Sequence, residues 1–207
     1  MSKKTDKNFS TKSEALQENI IKNVVRGPLY LCASLILLFS TILILIAMFT
    51  SNWQRKTSII NSQEYFTYGL WFTCRHISLK WIQNHHDYYC TTSNYSLFTW
   101  IHASQVFYTV SVAMNLFILL IALIGVCKDF GRNSLGMPSL IFWLLVISSL
   151  FQLIAISVYG GKGIADYTEY QADYSIIIAS VGLGVNALSA LLFLIEILTF
   201  KKITTRI

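Results

Sequence analysis

Residues 53–90 read WQRKTSIINSQEYFTYGLWFTCRHISLKWIQNHHDYYC, and this polar, aromatic stretch separates two long apolar segments of the chain. It begins with a tryptophan and contains the tripeptide Gly69-Leu70-Trp71 and two cysteines, Cys74 and Cys90. The other two cysteines fall inside or beside apolar segments. We interpret the rest of the sequence as a scaffold that presents this stretch at a membrane surface.

The composition excludes a soluble domain. Hydrophobic residues make up 54% of the 207 residues, charged residues make up only 13%, and the apolar residues are grouped in blocks. The net charge of +6 comes mainly from the chain ends and a short loop that flank these blocks, a pattern that does not favour nucleic-acid binding. The sequence therefore predicts an integral membrane protein whose first partner is the lipid bilayer.

Four apolar segments are long enough to cross a membrane as helices: residues 29–50, 101–127, 138–159 and 174–200. They leave an N-terminal tail and three loops, followed by a short C-terminal tail: residues 1–28, 51–100, 128–137, 160–173 and 201–207. Eleven of the 16 Lys and Arg residues lie in the two tails and the middle loop. The positive-inside rule therefore predicts that both termini are cytoplasmic and that the first and third loops are extracellular.

The predicted fold class is an all-α membrane protein, a four-helix transmembrane bundle with a small extracellular antiparallel β-sheet from the first loop. Residues 65–68 and 70–73 are aromatic and β-branched and are separated by Gly69, which predicts two strands. Residues 80–83 and 87–90 are expected to supply one or two more. Trp53 is predicted to anchor the chain at the membrane interface, and Trp71 to pin the sheet.

The cysteines of the first loop are expected to form a disulfide, because Cys74 and Cys90 lie in the oxidising compartment under this topology. Cys127, beside Lys128, is a candidate for palmitoylation, with an inert thiol as the alternative. Asn94 starts the glycosylation sequon Asn-Tyr-Ser on the predicted outer side.

Six residues of the first loop follow the order W…GLW…C…C: Trp53, Gly69, Leu70, Trp71, Cys74 and Cys90. With four spans and a larger first outer loop, the chain resembles the claudin superfamily. That group includes claudins, peripheral myelin protein and its epithelial relatives, and the calcium-channel γ subunits with the AMPA-receptor regulatory proteins. The resemblance implies a left-handed four-helix bundle capped by an extracellular sheet. The chain differs from typical claudins in its longer Cys–Cys interval and in lacking a Phe-x-Pro-like segment in the loop of residues 160–173.

The resemblance implies a plasma-membrane protein of cell–cell contacts such as tight junctions. It would act in adhesion, junction organisation or paracellular barrier control, with like or related four-span proteins as partners in cis or trans. The alternative is an auxiliary subunit that regulates trafficking or gating of an ion channel or receptor. A role in membrane organisation, as in myelin proteins, is a third possibility. The first loop carries two acidic side chains and four basic ones, Arg55, Lys56, Arg75 and Lys80, so its net charge is +2. This charge would favour anions in a paracellular route.

The C-terminal residues Thr205-Arg206-Ile207 match a class I PDZ ligand, which predicts a PDZ scaffold as a cytoplasmic partner. The sequence has no nucleophile–base pairing, phosphate loop or HExxH motif, so neither enzymatic activity nor a cofactor is expected. Four loop residues could suggest a zinc site: His76, His85, His86 and Asp87. We interpret them as part of a solvated loop, because a zinc site needs three or four converging ligands.

Two features of the fourth span invite interpretation. Glu196 is its one acidic residue, and we interpret it as an interfacial acid close to the following lysines. Ser180, Gly184 and Ala187 share one helical face, a small-residue pattern that we attribute to packing within the bundle.

Overall fold

The computed structural model describes residues 28–57, 64–79, 85–92, 99–127, 136–165 and 170–204. Within these ranges four helices are long and apolar enough to cross a membrane. They are α1 Pro28–Phe49, α2 Thr99–Cys127, α3 Gly136–Val158 and α4 Tyr174–Thr204. A π-helical segment, Tyr159–Ala165, continues α3 beyond its regular end.

The four helices form a closed ring. α2 packs on α3, and α3 packs on α4. α1 completes the ring, because Tyr108 of α2 donates a hydrogen bond to the Ile44 carbonyl at 3.2 Å and Ser189 of α4 donates one to the Ala33 carbonyl at 3.0 Å. The predicted four-helix membrane bundle is confirmed.

An antiparallel sheet of five strands sits at the end of the bundle where α1 stops and α2 starts, which we call the sheet end. The strands are β1 Gln54–Thr57, β2 Glu64–Tyr68, β3 Phe72–Leu79, β4 His85–Thr92 and β5 Tyr170–Ala172, in the order β4-β3-β2-β1-β5. The first four come from the first loop, where a sheet is predicted, but β1 is not among the predicted strands, and β3 begins at Phe72 because Leu70 and Trp71 belong to the turn before it. β5 comes from the loop between α3 and α4 and pairs with β1, an addition that the sequence does not predict. Residues 80–83 lie outside the described residues.

Two apolar clusters make up the core of the bundle. The cluster at the sheet end contains Ile44, Ala47, Trp53, Leu70, Tyr108, Val112, Ala155, Tyr159, Ile176 and Ala179. The cluster at the opposite end contains Tyr30, Ala33, Leu37, Ile118, Leu119, Ala122, Ile141, Leu145, Ala190 and Phe193. Buried polar side chains from all four helices lie between the clusters, and we call them the polar layer: Ser40, Thr41, Asn115, Ser148, Gln152 and Asn186.

Candidate functional site: the sheet and its base

Side chains alternate between the two faces of the sheet, and the strand register shows which residues share a face. The first face carries Arg55, Tyr65, Thr67, Cys74 and His76. The second face carries Lys56, Glu64, Phe66, Arg75 and Tyr89. Tyr89 belongs to the edge strand β4 and is 71% exposed. The sheet therefore offers two chemically different surfaces and one aromatic edge.

Trp53 fastens the sheet to the bundle. Its side chain is fully buried, and its indole Nε1 donates a hydrogen bond to the Ala47 carbonyl of α1 at 2.7 Å. Its ring centroid lies 5.2 Å from that of Tyr108 on α2 and 5.0 Å from that of Tyr159 beyond α3. The Trp53 backbone also donates to the Tyr68 carbonyl of β2 at 3.0 Å. The prediction that Trp53 anchors the chain at the membrane interface is wrong, because the side chain is enclosed by protein.

The turn Gly69-Leu70-Trp71 fastens β2 and β3 to the same base. Leu70 is 1% exposed, and its carbonyl accepts a hydrogen bond from Gln105 Nε2 of α2 at 2.6 Å. A Cβ atom at Gly69 would lie 2.6 Å from the Cα atom of Ser51, so only glycine fits this close backbone approach. Trp71 is 36% exposed. The prediction that Trp71 pins the sheet is therefore wrong, because the neighbouring Leu70 does so.

The disulfide closes the far part of the sheet. Cys74 on β3 and Cys90 on β4 lie directly opposite each other, and their sulfur atoms are 2.07 Å apart. The predicted pairing is confirmed. Cys32 and Cys127 are free, exposed thiols, and they lie near the start of α1 and at the last residue of α2, far from the sheet along both helices.

The basic side chains of the first loop do not form one positive surface. On the first face, the guanidinium carbon of Arg55 lies 4.0 Å from the ring centroid of Tyr65. On the second face, Arg75 forms an ion pair with Glu64, which compensates its charge locally. Lys56 shares that second face, and Lys80 has no described side chain. Arg55 and Lys56 therefore point to opposite sides of the sheet.

His76 belongs to an aromatic stack on the first face. Its ring lies parallel to that of Tyr65, with centroids 4.3 Å apart, and its Nε2 is 3.3 Å from the Thr67 hydroxyl. Burial lowers the pKa of His76 below its ordinary value of 6.5, the Arg55 guanidinium lowers it further, and Asp173 opposes both effects. In the described part of the chain no three His, Cys, Asp or Glu side chains converge on a metal position. The side chains of His85, His86 and Asp87 lie outside that part.

Acidification is expected to destabilise the sheet through His76. Because its folded-state pKa is lower than the unfolded value of 6.5, the unfolded chain binds more protons in the pH range between the two. Stability therefore falls as the pH drops through that range. Thermal unfolding of the detergent-solubilised protein should show this loss, and His76→Gln, which cannot titrate, should show less of it. Equal acid sensitivity in both proteins would contradict the assignment to His76.

The fourth helix places two predicted features differently from expectation. Glu196 is 2% exposed, so its side chain lies within the bundle and the interpretation as an interfacial acid is wrong. Ser180, Gly184 and Ala187 are all exposed on the outside of the bundle, so packing within the bundle does not explain them either. Ala187 lines an apolar groove of about 450 Å³ between α3 and α4.

Three predicted sites fall outside the described residues. They are the sequon residue Asn94 and the two PDZ-ligand residues Thr205 and Ile207. They remain predictions from the sequence.

The sheet, its buried base and the four spans agree with a comparison against known families. No curated protein matches the sequence. The profile of the PMP-22/EMP/MP20/Claudin family matches residues 27–193, from the start of α1 into α4. This is a family of non-enzymatic membrane proteins. A match over so much of the chain, together with the fold, shows that the chain belongs to the PMP-22/EMP/MP20/Claudin family.

Proposed function

We propose that this protein acts at cell–cell contacts in the plasma membrane, in adhesion, junction organisation or control of the paracellular route. The proposal places the sheet outside the cell and both chain termini in the cytoplasm, because most Lys and Arg residues lie in the tails and the middle loop. Like or related four-span proteins would be its partners, in the same membrane or in the opposed one.

The observation that carries the proposal is the rigid attachment of the sheet. Trp53 and Leu70 are buried between the sheet and three helices, and Asp173 and Ser175 donate backbone hydrogen bonds to the segment just before β1 at 3.2 and 3.0 Å. A surface held this firmly loses little conformational freedom when it binds a partner, which favours association. The exposed Tyr89 on β4 adds the kind of aromatic contact that interfaces use.

Reversing the charges of Arg55 and Lys56 is expected to change ion permeability if the protein lines a paracellular route. Arg55→Glu combined with Lys56→Glu changes the net charge of the first loop from +2 to about −2, so anion preference should give way to cation preference. The measurement is the dilution potential across an epithelial layer that expresses each form at its lateral membranes.

The matched control is Glu64→Gln combined with Arg75→Gln. It removes one charge of each sign from a pair that is already compensated, so the net charge and the ion preference should stay the same. Unaltered ion preference in the Arg55 and Lys56 variant, at normal delivery to the contacts, would rule out a pore lined by this sheet.

A second candidate function is that of an auxiliary subunit of an ion channel or receptor. The observation that favours it is the outer surface of α4, where Ser180, Gly184 and Ala187 are exposed beside the α3–α4 groove. Small side chains let another transmembrane helix approach closely, and van der Waals packing then drives association in the bilayer. The same surface would also serve lateral association between copies of this protein.

Gly184→Leu is expected to disrupt lateral association without unfolding the bundle. A Cβ atom at this position meets nothing within 4 Å, so the added side chain projects outward into the space a neighbouring helix would occupy. Membrane cross-linking should lose its lateral products in this variant and keep them in Val181→Leu, which enlarges another exposed residue of α4. Products that contain two copies favour the junction function, whereas products with a different membrane protein favour the auxiliary subunit. Unchanged cross-linking in Gly184→Leu would contradict lateral association through the outer surface of α4.

Several sequence features fit the proposed topology. Thr205 and Ile207 would bind a cytoplasmic PDZ scaffold, and Asn94 would be glycosylated outside the cell. Cys127 is exposed at the end of α2, on the proposed cytoplasmic side, where palmitoylation occurs.

A further inference from the structure

The polar layer contains three amide side chains that are completely buried: Asn115 on α2, Gln152 on α3 and Asn186 on α4. Apolar clusters lie on both sides of this layer along the bundle axis. A primary amide has two donor hydrogens and an acceptor oxygen, and leaving either end unsatisfied in an apolar interior costs free energy. The partners of both ends therefore show what the layer is built to bind.

The nitrogen ends of these amides are satisfied within the protein. Each one donates a hydrogen bond to a neighbouring helix: Asn115 to Ser148 Oγ at 2.7 Å, Gln152 to the Ala179 carbonyl at 3.0 Å, and Asn186 to Ser149 Oγ at 3.1 Å. Asn115 also donates to the Ser111 carbonyl at 3.0 Å. Because a backbone carbonyl only accepts, it fixes which way the amides of Asn115 and Gln152 are turned.

The oxygen ends of the three amides differ from the nitrogen ends in their hydrogen bonding. The oxygens of Asn115, Gln152 and Asn186 are buried and have no hydrogen-bond partner among the residues that the structure describes. Ser40 in the same layer is satisfied, since it donates to the Gly182 carbonyl at 2.9 Å. Within the polar layer, as far as the structure describes it, the unsatisfied groups are thus acceptor oxygens on α2, α3 and α4.

The three amides lie along one turn of α3, as their nitrogen bonds show. Ser148 binds Asn115, and Ser149 binds Asn186. At about 100° per residue, Gln152 lies about 40° around the helix from Ser148 and about 60° from Ser149, so it projects between the two. The three amides therefore lie on one side of α3, within a single turn.

Three acceptors without a carboxylate call for a small neutral donor. Glu196, the buried acid of α4, is ten residues from Asn186, or about 15 Å along the helix axis, so the layer has no negative charge to balance a cation. Water has two donor hydrogens and typically makes two to four hydrogen bonds when buried. We propose that the polar layer binds ordered water, which bridges the oxygens of Asn115, Gln152 and Asn186 and joins α2, α3 and α4 within the membrane.

Solid-state NMR with polarisation transfer from water tests this site. In isotope-labelled protein in lipid bilayers, the side-chain NH₂ groups of Asn115, Gln152 and Asn186 should receive magnetisation from water. The backbone amides of Leu37 and Ala122, which are buried in the apolar cluster, should not. The proposal would be overturned if the three side chains received no more magnetisation from water than these two control amides.

Gln152→Met tests whether the water is shared, because methionine matches glutamine in length but has no amide. Loss of the water signal at both Asn115 and Asn186 supports one bridged site, and a signal retained at both overturns it. The ion content of the buffer separates water from a cation. A melting temperature that stays constant when choline replaces sodium supports water, whereas a sodium-dependent rise that Gln152→Met abolishes would replace water with a cation.

Discussion

Trp53→Ala is expected to destabilise the protein by about 3–5 kcal/mol, the usual cost of truncating a fully buried tryptophan. The substitution removes a side chain that is 0% exposed and a hydrogen bond of 2.7 Å to the Ala47 carbonyl. It also removes the ring that Tyr108 and Tyr159 pack against. For a chain of this size the melting temperature should fall on the order of 10 °C.

Trp71→Ala is the matched control, since it removes the other tryptophan of the same motif. Trp71 is 36% exposed, so its loss should cost about 1 kcal/mol or less. Thermal unfolding of both variants in the same detergent gives the comparison. Equal losses, or a larger loss in Trp71→Ala, would show that the sheet is not fastened through Trp53.

The two tryptophans also show how far the sequence alone leads. Long uncharged segments and a loop with paired cysteines and aromatic strands are local signals, and they predict the spans, the sheet and the disulfide correctly. The roles of Trp53 and Trp71 depend instead on where the turn after Gly69 meets the end of α1. That contact joins residues far apart in the chain, so the W…GLW pattern does not reveal which tryptophan is buried.

The fifth strand escaped prediction for a similar reason. Tyr170-Gln171-Ala172 is only three residues long and has neither a run of β-branched residues nor a clear alternation. Its strand conformation comes from pairing with β1, more than 100 residues earlier in the chain. A segment of this kind becomes a strand because a neighbouring edge is free, and propensity contributes little.

The orientation of α4 about its axis accounts for the remaining differences between the sequence predictions and the structure. The positions of Asn115, Gln152 and Asn186 near the middle of apolar spans are visible in the sequence and mark them as buried candidates. Which face of α4 turns inward is less visible, because its apolar residues surround the helix. The structure turns Asn186 and Glu196 inward and Gly184 outward, which reverses the predicted roles of Glu196 and the small residues.

Removing the disulfide is expected to cost about 3 kcal/mol, because the bond closes a segment with a sequence separation of 16 residues. The double variant Cys74→Ala, Cys90→Ala avoids leaving a reactive thiol on the sheet. Cys32→Ser combined with Cys127→Ser is the control, since both thiols are exposed and unpaired and their loss should leave stability almost unchanged.

A sharper test is to ask which strands lose protection from hydrogen exchange when the disulfide is removed. β4 is an edge strand that pairs only with β3 among the described strands, whereas β1 and β2 are fastened to the bundle through Trp53 and Leu70. Without the disulfide, hydrogen exchange should therefore accelerate in β4 and in the adjoining part of β3, while β1 and β2 keep their protection. Because β2 separates β1, which follows Trp53, from β3, which carries Cys74, the effects of the two changes on stability should add when the variants are combined. Uniform loss of protection across all strands would mean that the sheet unfolds as one unit and that the base does not hold β1 and β2 independently.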